Sequence, residues 1–164
     1  MTPRIRDATP GDWPAIWPIV REVVVAADTF PYDPDMTEDE ARAMWMVDSP
    51  GRTTVAVDGA EVAGTANMYA NRAGPGALVA SASFMVASAA RGRGVGRALV
   101  EDALSWARAV GFSAMQFNAV AETNAAAVAL YRSVGFEIVG TVPEAFDHPE
   151  HGLVGLHVMH LKLR

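Results

Sequence analysis

The 164-residue chain has no cysteine. That absence excludes disulfides, thiolate catalysis and cysteine-ligated zinc. Met1 to Asp7 carry charges but no apolar core of a secretory signal. No uninterrupted apolar run approaches the length of a membrane span, so a cytoplasmic location is expected. The Gly-Lys-Ser/Thr triplet of a P-loop occurs nowhere. Net positive charge is missing too: the formal balance is −6 and the isoelectric point is near 5.1. An acidic protein is a poor partner for nucleic acid. Apolar residues, by contrast, are plentiful, at 51% with a mean hydropathy of +0.14. That is high for a small monomer and predicts that a second copy covers part of the surface, giving a homodimer. The length suits one domain spanning residues 1–164.

The chain is organised around Ser81 to Gly96. There an apolar, strand-like run meets a loop holding three glycines, Gly92, Gly94 and Gly96, and two arginines, Arg91 and Arg93. Arg97 to Val110 then reads as an amphipathic helix. A glycine turn between strand and helix is an anion site, because the first helical amides have no internal partners and the dipole is positive at that end. Glycine lets the backbone take up positive φ and approach a phosphate closely. Arg91, Arg93 and Arg97 have no acid between them, which suits a polyanion. The spacing is Arg91-x-x-Gly94-x-Gly96, and the third glycine is misplaced for a dinucleotide fingerprint.

Around this loop the pattern alternates strands and helices. Arg4–Asp7 reads as a first strand. Thr9, Pro10 and Asp12 form a helix start of capping-box type, the helix running to about Ala27 with Ile16, Val20, Val23 and Val24 buried and a kink at Pro18. Pro31 and Pro34 then enforce a loop carrying Phe30 and Tyr32. A second helix begins at Thr37 with Glu40 three residues on. Thr53–Val57 and Glu61–Tyr69 flank Asp58-Gly59 as a hairpin, and Leu78–Val86 completes a three-stranded meander. Further strands are expected over Ser113–Val120, Phe136–Val142 and Leu153–Leu163, with an alanine-rich helix from Asn124 to Val134 and a loop over Pro143–Gly152.

The alanine-rich helix carries a second motif: Asn124-x-x-Ala127-x-x-Leu130-Tyr131-x-x-x-Gly135-Phe136. Together with Arg91-x-x-Gly94-x-Gly96, in that order, it resembles the GNAT superfamily of acyl-CoA-dependent N-acetyltransferases. The resemblance covers nearly the whole chain in element order and residues 84–136 in motifs. It implies a single-domain α/β fold whose central mixed, mostly antiparallel sheet of about seven strands is flanked by about four helices. It implies acetyl-CoA as acyl donor and direct transfer to an amine without a covalent enzyme intermediate. Met85 and Val86 would offer backbone groups to the pantetheine arm. The loop Arg91, Gly92, Arg93, Gly94, Val95, Gly96 and Arg97 would hold the pyrophosphate. Asn124 would contact the cofactor arm, and Tyr131 would stand by the thioester sulfur. Val86 N–H would polarise the carbonyl. The Tyr131 hydroxyl would serve the departing thiolate as acid, or Tyr131 simply packs at a helix end.

The acceptor site is less defined. Phe30 and Tyr32 are either one wall of it or part of a stiff surface loop. Asn118 is either an acceptor-site residue or a local turn cap. Ala82–Val86, Phe117–Val120 and Pro143–Pro149 resemble a GNAT subgroup that includes the fungal acetyltransferase for azetidine-2-carboxylate, a proline analogue. In that subgroup an asparagine is expected near Ser81, the fourth candidate for the acceptor side. The expected acceptor is thus a small amine, such as an amino acid or analogue. The alternatives are a non-catalytic acyl-CoA-binding module and a protein or peptide N-acetyltransferase. Leu78–Val86 contains no acid, so no general base is assigned. Glu122, Asp33, Glu144, Asp147 and ordered water stand as equals. His148 and His151 read as exposed loop or acceptor-site histidines, since no third metal ligand is evident, and no metal is expected.

Overall fold

The computed structural model describes residues 2–164. Seven strands form one sheet in the order β1-β2-β3-β4-β5-β7-β6: β1 Arg4–Asp7, β2 Arg52–Asp58, β3 Glu61–Ala70, β4 Val79–Val86, β5 Ala114–Ala121, β6 Glu137–His148 and β7 Gly152–Lys162. All neighbours are antiparallel except β4 and β5. The expected α/β architecture, a mixed sheet of seven strands with four helices, is the one found.

Four helices cover the sheet: α1 Trp13–Ala26, α2 Glu38–Trp45, α3 Val95–Val110 and α4 Ala125–Ser133. On one face α1 and α2 pack over Val55 and Met85, burying Trp13, Ile16, Val20 and Trp45. Both capping boxes are present, Thr9 with Asp12 and Thr37 with Glu40. Pro18 lies inside α1 without ending it. On the other face α3 buries Val95, Leu99, Val100, Ala103, Leu104 and Ala107. Burying one such Leu or Val contributes about 1.5–3 kcal/mol, enough in sum to pin α3 to the sheet. Its start comes especially close. A Cβ on Gly64 would lie 2.8 Å from Val95 Cγ1 and 3.1 Å from Met85 O. Gly64 thus holds the α3 N-terminus against the end of β4.

One expectation changes. Residues after Val142 do not form a loop; β6 continues to His148, and only 149–151 turn. Pro143 and the positive φ of Glu144 (51°) are absorbed by a register shift between Val142 and Phe146. An edge strand tolerates this, because Pro143 removes no ladder donor on its open side.

Candidate active site

β4 and β5 pair at only two positions, Val79 with Ala114 and Ala80 with Met115. Beyond them the strands part, and β5 has a register irregularity between Phe117 and Val120. Such a bulge bends a strand and strengthens its twist. Two adjoining cavities occupy the gap. The first, about 270 Å³, is walled by Tyr32, Tyr69, Ser81, Ser83, Phe117 and Tyr131 among others. The second, about 590 Å³, runs from Val86 past the loop at Arg91–Arg97 to the first turn of α4. Thr29, Phe30, Phe84, Asn124 and Ala127 line both.

The open edge of β4 can be read residue by residue. Ala87 N–H donates to Ala63 O at 2.9 Å, and Asn71 N–H to Val79 O at 2.8 Å. Bonded pairs alternate along an antiparallel ladder. Met85, opposite Thr65, therefore spends its backbone on β3, and its side chain is 1% exposed. Phe84 and Val86 turn theirs to the gap. Met85 still lines the second cavity, but the backbone groups free at this edge are those of Phe84 and Val86.

The loop after β4 is a nest of donors. Ser88–Ala90 form one 3-10 turn, and Arg91 N–H closes it on Ser88 O at 3.3 Å. Gly92 and Gly94 adopt φ of 74° and 81° with nothing near an added Cβ. Glycine is required there by backbone conformation, not by space. The helix begins at Val95, two residues earlier than its sequence pattern suggests, and Ala98 N–H makes its first bond, to Gly94 O at 3.1 Å. Among the described residues, the amides of Gly92 to Arg97 have no protein partner, whereas that of Arg91 is committed. The arginines differ as well. Arg93 pairs with Asp58. Arg97 donates to Ser133 Oγ at 2.7 Å and lies 3.6 Å from Glu101. Arg91 alone of the three has no acidic partner among the described residues. Gly96 lies beside Leu130 and Val86, with a virtual Cβ at 3.5 and 3.8 Å, so loop, strand and α4 meet.

Asn124 caps α4, its Oδ1 accepting from Ala127 N–H at 3.3 Å. The Nδ2 group is left for the wall shared by the cavities. Tyr131 packs among Phe117, Phe136 and Phe84, with ring centroids at 4.5, 6.0 and 6.2 Å. Its carbonyl accepts from Val134 and Phe136 N–H, fixing the helix end. Its hydroxyl has no protein partner among the described residues. Burial drives this phenol well above its ordinary pKa, so it keeps its proton and remains available as a hydrogen-bond donor.

On the acceptor side, Phe30 and Tyr32 stack at 5.4 Å. Burial raises the Tyr32 phenol, opposed by the Ser83 hydroxyl. Ser81 is buried on the same face of β4. Asn118 lines the first cavity, but its Nδ2 donates to Asn71 Oδ1 at 2.7 Å and its Oδ1 accepts from Gln116 Nε2 at 3.0 Å. It is therefore a bridge between the β3–β4 turn and β5, not a local turn cap.

None of the four carboxylates considered as base lines either cavity. Glu122 Oε1 accepts from Gly155 N–H at 2.6 Å, and Asp33 Oδ1 from Asp35 N–H at 2.9 Å. Glu144 and Asp147 lie on β6. His148 departs from the expected exposed loop histidine. It is buried, it lines the second cavity, and its Nδ1 faces the amides of Glu150 and His151 at 3.1 and 3.2 Å. With Nδ1 accepting, the neutral ring carries its proton on Nε2. Thr123 lines the same cavity, its Oγ1 buried without a partner among the described residues.

The arrangement offers amide donors for a diphosphate at one end, a free strand edge in the middle and a phenol donor at the other. Comparison with known proteins agrees with it. The model of the acetyltransferase (GNAT) family matches residues 17–136. A GCN5-related N-acetyltransferase from Kribbella flavida is 61% identical over 98% of both chains, with a TM-score of 0.96. A GNAT superfamily phosphinothricin acetyltransferase from Sinorhizobium meliloti, solved in complex with AcCoA, is 26% identical, covering 99% of this chain and 89% of that one at a TM-score of 0.88. Protein SPT10 of Saccharomyces cerevisiae is 31% identical over 81 residues, which is 46% of this chain and only 13% of that protein.

Proposed function

The chain belongs to the acetyltransferase (GNAT) family, and from that premise we propose that it moves an acetyl group from acetyl-CoA to the amine of a small molecule. The observation that carries the proposal is the continuous path from the unpartnered amides of Gly92–Arg97, along the free edge of β4, to the Tyr131 hydroxyl. In this reading the loop amides and Arg91 hold the diphosphate of the donor. Phe84 and Val86 pair with the pantetheine arm as a neighbouring strand would. Asn124 Nδ2 contacts the same arm.

The chemistry follows from these groups. The amine nitrogen attacks the thioester carbonyl carbon, the carbon–sulfur bond breaks, and coenzyme A leaves as a thiolate. Val86 N–H stabilises the charge that develops on the carbonyl oxygen. The Tyr131 O–H donates a hydrogen bond to the departing sulfur. Its raised pKa makes it a strong keeper of the proton, so it acts mainly as a hydrogen-bond donor. The proton lost by the amine passes to water, since no carboxylate lines the first cavity among the described residues.

The size of the first cavity supports an acceptor of the dimensions of an amino acid or proline analogue. A peptide chain needs an open groove, whereas the Phe30–Tyr32 stack stands over this cavity. The narrower likeness to the azetidine-2-carboxylate enzyme has less support, because Ser81 stands where an asparagine is expected and both ends of the Asn118 amide are held. A single domain and cytoplasmic action are part of the same proposal. So is a homodimer, supported by Val139, Val142 and Leu153, each more than half exposed on the β6–β7 hairpin at the sheet edge. Titration calorimetry with acetyl-CoA, followed by thiol release across a panel of amines, tests the reading. Absence of heat with acetyl-CoA would reject it, and binding without turnover would favour a non-catalytic acyl-CoA-binding module.

A further inference from the structure

We infer that the acceptor is a small monoamine whose body carries no carboxylate, phosphonate or second ammonium group. The inference rests on the reading of the first cavity as the acceptor site. Among the described residues, no Asp, Glu, Lys, Arg or His lines that cavity. Its polar side chains are all uncharged, the hydroxyls of threonine, tyrosine and serine residues with the amides of Asn124 and of Asn118, the latter already bonded to Asn71 and Gln116. The tyrosines add no charge, since burial keeps the Tyr32 and Tyr131 phenols protonated. The charges nearest at hand, Arg91, Arg97 and Asp28, line the second cavity, where the donor sits.

A carboxylate or phosphonate taken into the first cavity would surrender its hydration and meet no cation in return. A diamine or polyamine would bring a second ammonium and find no acid. A neutral body meets neither cost. The aromatic stacks of Phe30 on Tyr32, at 5.4 Å, and Tyr131 against Phe117, at 4.5 Å, offer flat apolar walls. Those π faces attract an ammonium group on approach, and desolvation then favours its neutral, nucleophilic form. The same neutrality accounts for the missing general base, because the cavity itself selects the free amine.

Matched amines that differ only in a carboxylate test this: tyramine with tyrosine, pyrrolidine with proline, and azetidine with azetidine-2-carboxylate. Each is assayed with the full chain, acetyl-CoA and thiol detection. The carboxylate-free member of each pair should have a kcat/KM at least tenfold higher. Ser83→Arg should move the ratio toward the carboxylated member, while Ser83→Gln, of similar bulk and no charge, should leave it in place. Equal or better use of the carboxylated members, or the same shift with Ser83→Gln, overturns the inference and leaves the acetyltransferase reading standing. Acetyl-CoA binding with no turnover of any amine overturns both.

Discussion

The two cavities share a wall and little else. In the proposed reading the second would recognise its ligand through backbone conformation: glycines at φ of 74° and 81°, amides left over at a helix start, one uncommitted arginine. The first is built from side chains, rings and hydroxyls, drawn from five separate stretches of the chain and without formal charge. A site made of backbone can be specified by a few residues in a row. One made of side chains depends on how strands and loops diverge in space.

Substitutions that strike one cavity and spare the other measure how separate they are. The largest effect should come from Gly94→Val. A β-branched residue at φ 81° costs on the order of 1–3 kcal/mol, so acetyl-CoA affinity should fall roughly 10- to 100-fold in calorimetry, with an unchanged circular dichroism spectrum. Next, Tyr131→Phe removes the phenol donor in the wall of the first cavity. Turnover should drop about tenfold or more while the dissociation constant for acetyl-CoA stays nearly constant; equal rates would remove Tyr131 from the chemistry. Arg91→Ala should weaken donor binding several-fold at low salt and much less at high ionic strength, because only the screened attraction is lost. Acceptor KM should not respond to salt in the same way.

The smallest functional effect belongs to Asp12→Asn, which touches neither cavity. Arg6 grips both Asp12 oxygens at 2.8 Å and Thr9 adds backbone and hydroxyl donors, so the carboxylate is held well below its usual range. A depressed carboxylate stabilises the fold above its unfolded pKa of about 3.9. That contribution fades as pH falls toward its folded value. Thermal melts of Asp12→Asn should therefore depend less steeply on pH below about 4 than those of the parent, with both cavities still functional near neutrality.

What could be read from the chain divides along the same line. Gly92 and Gly94, the Asn124–Tyr131 segment and both capping boxes are local patterns: the glycines take up positive φ, the segment forms a helix, and both boxes close. The capture of Arg93 by Asp58, 35 residues away, leaves no trace in sequence. Neither does the need for Gly64 beneath Val95. The proline- and glycine-containing surroundings of His148 suggest an exposed loop, whereas β6 carries the chain through a register shift and turns only afterwards, burying the ring. The sorting of Met85 from Phe84 and Val86 depends on which amide first bonds to β3. That phase is fixed by register, not by residue type.

The phase leaves β4 with two unlike margins. One margin is stitched to β3 over its whole length, and the other is bare past Ala80. In deuterated water without coenzyme, successive amides of a single strand should therefore trade hydrogen at sharply alternating speeds, slow at Met85 and quick at Phe84 and Val86. Saturation with the donor should erase that comb, turning a half-finished seam into a closed one.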